Sequence, residues 1–310
     1  MLEKPMDVLE QFPVRKTKKQ KQLFRNAVSD WLSRNGYQCR EEAGSLGARN
    51  LVIGDPEKAE FLITAHYDTC AGMLVPNLIT PCNLFLFILY QLIISVVILL
   101  PAVLLGIAVG WLTDSFFVGQ LVRPILIWGN IALLLCGPAN PRNANDNTSG
   151  VVTLLEIAGT LPENQREKVC FVLFDLEELG LIGSAAYQKA HKTEVRKQIV
   201  LNLDCVGDGN EILLFPTGKL KKDKQKMALL RTCCGLFGKK RVSLKEKGFA
   251  VYPSDQGNFP YGVGICALRK GKLALYLSRI HTARDTILDH TNVNILRAAL
   301  TSLVSRSQGE

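Results

Sequence analysis

A chain of 310 residues is long enough to bury the core of one large domain or of two small ones. Its formal net charge is +9, but the basic runs lack interleaved aromatic residues and any nucleic-acid-binding motif. We therefore expect no nucleic-acid partner and predict a solvated basic face, beside anionic lipid headgroups. Nine cysteines without Cys-x-x-Cys pairs, and an N-terminal stretch charged throughout, argue against a secreted disulfide scaffold and favour free thiols in a reducing compartment.

Composition divides the chain into a nearly uncharged, apolar part and a part with the composition of a globular protein. No charged residue occurs at the 45 positions from 69 to 113, and only Asp114 and Arg123 carry charge between residues 69 and 141. These two charges cancel, so the net positive charge belongs to the remaining sequence, whose composition is that of a globular protein. We predict one discontinuous domain, residues 1–75 and 140–310, interrupted by an insertion at residues 76–139.

The N-terminal elements lead to the first chemical motif. Residues 15–35 have the spacing of an amphipathic helix, with Leu23, Val28, Trp31 and Leu32 as packing residues. Strands are expected at residues 37–40, 50–53 and 60–65, and the last runs directly into His66 and Asp68. An imidazole at this position can bind a metal while a nearby carboxylate orients it. Taken alone, the motif favours a hydrogen-bonded histidine at a strand end over a metal ligand.

The insertion predicts a helical hairpin in contact with lipid through residues 83–137. Residues 83–112 carry no charge and would form a helix of roughly 45 Å, which exceeds a bilayer core. Residues 116–136 could span back; if that helix begins at Ile125 instead, it is too short and the insertion becomes re-entrant or monotopic. A buried hairpin of a soluble protein is the other alternative. A spanning hairpin returns the chain to its starting side, and the basic flanks predict a cytoplasmic domain.

The rest of the chain alternates strands with helices and places polar residues after them. Asp146 precedes a helix at residues 151–160, Glu177 and Glu178 follow a doubly buried strand at 169–174, and Asp204 follows a strand at 200–203. Further strands are predicted at residues 211–215, 263–268 and 273–277, and helices at 224–237 and 291–306. His281 and Asp285 lie just beyond the last strand.

These motifs share one kind of position, a strand end or a helix start, where open α/β sheets bind their ligands. Together they supply two imidazoles and several carboxylates, which is a ligand set for two zinc ions (Zn2+). The two histidines outside the motifs, His191 and His290, are expected at the surface.

The motifs, taken in order, resemble those of the co-catalytic zinc aminopeptidases, a family that includes the bacterial leucyl aminopeptidases. The matching segments are His66-x-Asp68, Asn145-Asp146-Asn-x-Ser-Gly150, Asp175-x-Glu177-Glu178-x-Gly180-Leu-x-Gly183-Ser184, Asn202-x-Asp204 and His281-Thr-x-x-Asp285-Thr286. The resemblance implies an α/β fold of three layers, α/β/α, with a mixed central sheet, into which the hydrophobic helical hairpin is inserted.

The resemblance also assigns roles. It implies His66 and Asp204 as ligands of one zinc, Glu178 and His281 as ligands of the other, Asp146 as the bridge, Glu177 as general base, and Asp68 and Asp285 as supporting residues. The loop containing Asp255, Gln256 and Phe259 is expected to border the substrate pocket, and many relatives have histidine in place of Gln256.

The predicted function is that of a membrane-tethered zinc aminopeptidase, which removes N-terminal residues from peptides with a metal-bridged water as nucleophile and Glu177 as base. Two alternatives remain open. A glutaminyl cyclase shares the fold but is an acyltransferase that uses one zinc, and a non-catalytic membrane scaffold would have inherited only the fold.

The hairpin topology predicts that residues 113–119 face the side of the membrane opposite the catalytic domain. A cysteine introduced there should react with an impermeant thiol reagent supplied on that side, because a spanning hairpin places its turn beyond the bilayer. Labelling in oriented vesicles measures this. A cysteine that stays unreactive there, but reacts with reagent on the other side, would contradict the topology.

Overall fold

A mixed sheet of ten strands forms the centre of the protein. The computed structural model describes residues 1–73, 75 and 77–307. The strands are β1 Cys39–Ala43, β2 Arg49–Ile53, β3 Phe61–His66, β4 Val169–Phe174, β5 Ile199–Leu203, β6 Glu211–Pro216, β7 Gly235–Phe237, β8 Lys240–Leu244, β9 Gly262–Lys270 and β10 Leu275–Tyr276. Their order is β1-β2-β4-β3-β5-β9-β6-β8-β7, with β10 paired to β9. The four central strands β4, β3, β5 and β9 are parallel, so their carboxyl ends meet at one edge.

Helices cover both faces of this sheet. The α-helices of the described residues are α1 Val8–Gln11, α2 Lys18–Arg34, α3 Leu84–Leu112, α4 Phe116–Cys136, α5 Gly150–Thr160, α6 Ile182–Ala190, α7 Lys224–Arg231 and α8 His290–Arg306; α3 and α4 form a separate hairpin. Alternate residues of β4 point to opposite faces: Phe171 joins the core formed with α2, α5, α7 and α8, whereas Val172 joins the core that contains Tyr187 of α6. The predicted three-layer α/β/α architecture is thereby confirmed.

Helix α2 confirms the amphipathic prediction with one correction. Thr17 caps its start by accepting a hydrogen bond from the Gln20 backbone N–H at 3.2 Å. Phe24, rather than Leu23, is buried, and its ring stacks on that of Tyr67 at 5.2 Å. The prediction that Leu23 packs was wrong, because Phe24 shares the helical face of Val28 while Leu23 is 53% exposed.

The helix predicted at residues 224–237 is also corrected. Helix α7 ends at Arg231, and the chain then forms a hairpin of β7 and β8 at the edge of the sheet. Gly238, with φ of 62°, supplies the left-handed turn between them. The apolar spacing continues past Arg231, but the turn residues and the available sheet edge decide the structure.

Helices α3 and α4 pack against each other as an antiparallel hairpin. Their contact is close because glycines face each other: a Cβ on Gly119 would lie 2.7 Å from the Gly106 carbonyl oxygen. Both helices are long and apolar enough to cross a membrane by length and composition. Their apolar side chains, including Phe85 at 73% and Trp128 at 68%, are largely exposed, so the hairpin does not supply the core of this chain.

Two neighbouring backbone segments, called the neck and formed by residues 70–71 and 139–140, connect the hairpin to the domain. Ala71 pairs with Ala139 in an antiparallel bridge, and the Asn140 N–H donates to the Cys70 carbonyl at 3.1 Å. The chain therefore leaves and re-enters the domain at adjacent points, so the inserted residues do not separate the two halves of the fold. The division at residues 76 and 139 remains a prediction close to this neck.

A buried ion pair joins α2 to the end of β4. The Lys21 ammonium lies 2.7 Å from an Asp175 carboxylate oxygen, and the second oxygen accepts from the Arg49 N–H at 3.0 Å. Both side chains of the pair are buried. Asp175 thus has a structural role, although it lies only two residues before Glu177, the predicted base.

We expect Asp175→Ala to lower the free energy of unfolding by about 3–5 kcal/mol, because it leaves the Lys21 ammonium buried without its partner. The measurement is denaturant unfolding of the detergent-solubilised protein. Glu246→Ala is the control, since its ion pair with Arg231 lies on the surface, and it should leave the unfolding midpoint nearly unchanged. Equal effects of the two substitutions would contradict the structural role of Asp175.

Candidate metal centre

The predicted site residues converge at the carboxyl edge of the parallel strands. Strand β3 ends at His66, which pairs in register with Phe174 at the end of β4. Glu177 and Glu178 follow β4, and Asp204 follows β5 on the other side of β3. The topology of the sheet therefore brings together side chains separated by more than a hundred residues.

Asp146 lies between the two histidines of this cluster. One of its carboxylate oxygens is 3.2 Å from His66 Nε2 and the other is 2.9 Å from His281 Nε2. A carboxylate oxygen of Glu178 lies 3.3 Å from the same His281 nitrogen, and a carboxylate oxygen of Asp204 lies 3.6 Å from His66 Nε2. Each imidazole thus faces Asp146 and at least one further carboxylate, and His66 Nδ1 also lies 3.6 Å from an Asp68 oxygen.

Several triads in the cluster could hold a cation. The potential ligand atoms lie within 4.8 Å of one another in His66, Asp146 and Glu178, in His66, Glu177 and Asp204, in Cys70, Glu178 and His281, and in Asp146, Asp204 and Cys205. Burial raises the pKa of the Cys70 and Cys205 thiols above their usual value, which disfavours the thiolate that binds metals. Histidine and carboxylate remain as the donors, a set that suits catalytic zinc.

Buried carboxylate oxygens without hydrogen-bond partners are evidence for a metal site in this cluster. Among the described residues, Glu178 Oε1 and Asp204 Oδ1 are buried without a hydrogen-bond partner. Leaving a buried carboxylate oxygen unpaired is costly, whereas coordination of a cation would satisfy it. The donor chemistry and these two atoms therefore fit a metal centre.

Asp285 and Asp68 orient the cluster through the backbone. Asp285 accepts hydrogen bonds from the backbone N–H groups of Asn145 and Asp146, at 2.8 and 2.9 Å. Asp68 accepts from the N–H groups of Glu177 and Glu178, at 3.1 and 3.3 Å. Both carboxylates thus hold the segments that present the other acids, and their supporting role stays a prediction.

The segment before α5 contains three polar residues whose roles the sequence analysis missed. Asn145 Oδ1 accepts from the Gly207 N–H at 2.6 Å, Asn147 donates to the Leu203 carbonyl at 2.9 Å, and Ser149 Oγ accepts from the Val206 N–H at 3.0 Å. They join the Asp146 segment to the Asp204 segment. The Asn-Asp-Asn-x-Ser pattern carries this signal, but only the fold shows its partners.

Left-handed backbone accompanies the cluster. Leu176, Cys205 and His281 have φ values of 57°, 56° and 60°, although none is glycine. His281 itself faces the cluster, Leu176 precedes Glu177, and Cys205 follows Asp204. Such conformations cost of order 1–3 kcal/mol each and are found where a site requires a particular side-chain direction.

The electrostatics of the cluster reflect crowded acids. Desolvation raises the pKa of Glu178 to about 7, and Asp146 adds repulsion while His281 opposes the shift. Desolvation disfavours the charged imidazole of His281, but Glu178 and Asp146 outweigh it and raise its pKa to about 9. Desolvation also raises the pKa of Glu177 well above its usual value, and His66 opposes that shift. A bound cation would relieve this repulsion.

A cavity of about 260 Å³ opens above the cluster. Besides the clustered acids and histidines, its walls include Asn77, Ile79, Phe87, Gln91, Cys205, Tyr252, Pro253 and Ile280. Tyr252, which the sequence analysis did not single out, donates from its hydroxyl to the Asp204 carbonyl at 3.1 Å. The cavity is smaller than the pockets of about 300–1,000 Å³ that hold drug-sized ligands, so it suits a single residue better than an extended chain.

The residues expected to border the pocket, Asp255, Gln256 and Phe259, are not among the residues that line this cavity. Gln256 is buried and donates to the Tyr252 carbonyl at 2.6 Å, and Asn202 donates to its side-chain oxygen at 3.2 Å. Phe259 stacks on Phe174 in the core, at 5.9 Å. Asp255 is fully buried, and desolvation raises its pKa to about 7. The cavity wall is thus built by Tyr252, which this loop supports.

The remaining two histidines lie apart from the cluster. His290 is exposed at the start of α8, as expected. His191 is only half-buried, and its ring lies 2.9 Å from a Glu42 carboxylate oxygen and packs on Tyr187.

Comparison with known proteins identifies a family. The model of Peptidase family M28 matches residues 128–304. Aminopeptidase YwaD of Bacillus subtilis (strain 168) is 41% identical over 73 residues, which are 23% of this chain and only 16% of that protein.

Solved structures share the fold over nearly the whole chain. A glutaminyl cyclase of Porphyromonas gingivalis has a TM-score of 0.60 at 16% identity, covering 98% of this chain and 96% of that one. A leucine aminopeptidase precursor of Bacteroides thetaiotaomicron has a TM-score of 0.61 at 16% identity, with coverage of 97% and 94%. The TM-scores and the coverage establish the common fold, and the two neighbours are equally similar.

Stability of the metal-free protein should fall as the pH rises from about 5 to 9. A group whose pKa is raised by folding stabilises the folded state below its unfolded pKa and loses that contribution as the pH passes its folded pKa. The pKa rises from 4.5 to about 7 in Glu178 and from 6.5 to about 9 in His281, so the two losses together span this range. Thermal unfolding after chelation, at several pH values, measures it.

Two comparisons sharpen this test. Glu178→Gln should flatten the decline, because it removes one titrating group, whereas His290→Gln at an exposed position should not. Added zinc should reverse the trend, since ligands must lose their protons to bind it. A metal-free protein that gains stability between pH 5 and 9 would contradict the assignment.

Proposed function

Because the chain belongs to peptidase family M28, we propose that it is a membrane-tethered zinc aminopeptidase that hydrolyses N-terminal residues from peptides. The observation that carries the proposal is the position of Asp146, whose two carboxylate oxygens face His66 and His281 separately. A carboxylate shared in this way suits a bridge between two metal ions, the arrangement of co-catalytic hydrolases.

Two zinc ions would be held by side chains already in contact. His66 and Asp204 would bind one ion, Glu178 and His281 the other, and Asp146 both, which uses the unpaired oxygens of Asp204 and Glu178. When bound, zinc supplies Lewis acidity and lowers the pKa of water. The same ligands accept cobalt or manganese, so the identity of the metal as zinc is itself proposed.

Glu177 is the proposed general base. It shares a triad with His66 and Asp204 and lines the cavity, so its carboxylate can reach a water molecule there. A raised pKa makes the Glu177 carboxylate a stronger base, so in its ionised form it can take a proton from the attacking water and, once protonated, deliver that proton to the leaving amine. Asp68 positions this group by accepting the Glu177 backbone N–H.

The form of the site favours an exopeptidase. The cavity is small and lined by several carboxylates, so it would attract the α-ammonium group at the start of a peptide and has little room for residues before it. The glutaminyl cyclase alternative needs one zinc and no bridge, and the shared position of Asp146 favours two ions. A scaffold without catalysis would have no need of the paired acids.

The membrane tether and its orientation complete the proposal. The two exposed apolar helices α3 and α4 would cross the bilayer as a hairpin, and the domain carrying the net positive charge would face the cytoplasm. Lipid contact would involve residues 83–137.

Glu177→Gln should lower kcat by about 10²–10⁴-fold while zinc stays bound, because it removes proton transfer and no proposed ligand. The measurement is release of free amino acid from peptides by detergent-purified protein, with zinc content determined on the same sample. Glu178→Gln is the matched comparison and should lose zinc as well as activity. Full activity of Glu177→Gln would refute the assigned base.

The same assay separates the alternatives. About two zinc ions per chain and amino-acid release that chelation abolishes are expected of the aminopeptidase. Cyclisation of a peptide with N-terminal glutamine, without release of an amino acid, would instead identify a cyclase. Failure to bind zinc after metal loading would favour the scaffold.

A further inference from the structure

The inserted helix contributes directly to the catalytic cavity. Phe87 and Gln91 of α3 line the same cavity as the clustered acids and histidines. They lie four residues apart, so they occupy one face of the helix. Ile79, just before the helix, is held against the domain by an antiparallel bridge to Leu277. The hairpin is therefore a wall of the proposed active site as well as an appendage to the domain.

The part of α3 that forms this wall extends beyond its partner helix. Helix α3 has 29 residues and α4 has 21. The Asn130 side chain donates to the Ile98 carbonyl at 3.2 Å, which sets the register of the pair. Because the helices are antiparallel, the end of α4, six residues after Asn130, lies level with the residue six before Ile98. The unmatched part of α3 is thus its first two turns, up to Gln91.

This excess length matches the structure of a bilayer. Twenty-one helical residues span about 31 Å, close to the hydrocarbon thickness of about 30 Å. The eight additional residues of α3 add about 12 Å on the domain side, whereas one headgroup layer is about 5–8 Å deep, half of the difference between about 40–45 Å and about 30 Å. The first two turns of α3 would then cross the headgroup layer, and the cavity they border would lie at the membrane surface.

A neighbouring turn of the domain has the composition of a membrane contact. Leu273, between β9 and β10, is 79% exposed and follows Lys272. The same turn borders an apolar groove with Leu86 and Leu89 of α3. An exposed leucine beside lysine at the base of the hairpin suits the interface, where the apolar side chain inserts and the ammonium contacts anionic headgroups.

We propose that Phe87 and Gln91 contact the substrate, and that the substrate is a polypeptide anchored in the same membrane with its N-terminus close to the bilayer surface. This inference rests on the aminopeptidase function proposed above. The Phe87 ring would pack against the first side chain of the substrate, and the Gln91 amide, which can donate and accept hydrogen bonds, would contact its backbone.

The first experiment tests the contact between Phe87 and the substrate by comparing two phenylalanines of the same helix. Phe87→Ala should change the ratio of kcat/KM between peptides beginning with a large and a small apolar residue by about tenfold or more, since it removes one wall of the pocket. Phe85→Ala is the control, because Phe85 is exposed two residues away on the same helix. It should leave that ratio within about twofold. Equal ratios in both variants and the wild type would overturn the contact.

Folding is checked independently in this experiment. Zinc content and unfolding midpoint are measured for each variant, and Phe87→Leu serves if Phe87→Ala does not fold. Leucine keeps an apolar wall but is smaller than phenylalanine, so the ratio should shift in the same direction by a smaller factor. An unchanged ratio in a folded Phe87→Leu variant with normal zinc content would likewise count against the proposal.

The second experiment tests the class of substrate. The enzyme is reconstituted in vesicles with a peptide fused to a single membrane-spanning helix through a spacer of about 5 or about 30 residues. A cavity at the membrane surface needs only about 5 extended residues, which span about 17 Å. We expect both fusions to be trimmed with kcat/KM within a few-fold of each other, and better than the free peptide by about 10²-fold or more.

The outcomes separate this inference from the underlying function. Cleavage of the free and long-spacer peptides but not of the short-spacer peptide would overturn the membrane-surface substrate and leave the aminopeptidase intact. A free peptide cleaved as efficiently as both fusions would do the same. A zinc-loaded wild type that releases no amino acid from any peptide would overturn both proposals.

Discussion

The mutual repulsion of carboxylates around Asp146 is the constraint on which the site depends. Asp146, Glu177, Glu178 and Asp204 are drawn together at one sheet edge, and the imidazoles of His66 and His281 lie closest to them, while the buried Arg15 guanidinium adds positive charge near Asp146. Such a cluster is unfavourable unless protons or metal cations compensate it. The rest of the local structure resists this repulsion: Asp285 and Asp68 hold the acid-bearing segments by their backbone N–H groups.

The insertion is compatible with this site because of where it joins the domain. Adjacent pairing of Ala71 and Ala139 means that the hairpin adds no separation between His66 and Asp146. Loop closure costs little for inserted segments that fold on themselves. In this protein the hairpin also contributes Phe87 to the cavity, so the inserted helix and the candidate metal centre are physically connected. That connection links the proposed tether to the proposed choice of substrate.

Much of the fold and of the site was predictable because its determinants are local. Buried strands have no polar face, and polar motifs follow them directly, as at His66 after β3 and Asp204 after β5. The two apolar segments of the insertion stand out by composition alone. The errors were also local: Leu23 is exposed where Phe24 is buried, and the helix after Lys224 ends earlier than its apolar spacing suggests, because a sheet edge was available to the next residues.

By itself the sequence determined which residues could serve as ligands and that two stretches are apolar enough to span a membrane, because charge and side-chain chemistry are properties of single residues. Only the tertiary structure decided their relations. It placed Asp146 between the two histidines, bonded Gln256 to the Tyr252 backbone, stacked Phe259 on Phe174, and brought Phe87 of the insertion to the cavity. These relations depend on strand order and helix register, which join residues distant in the chain and leave no trace in local spacing.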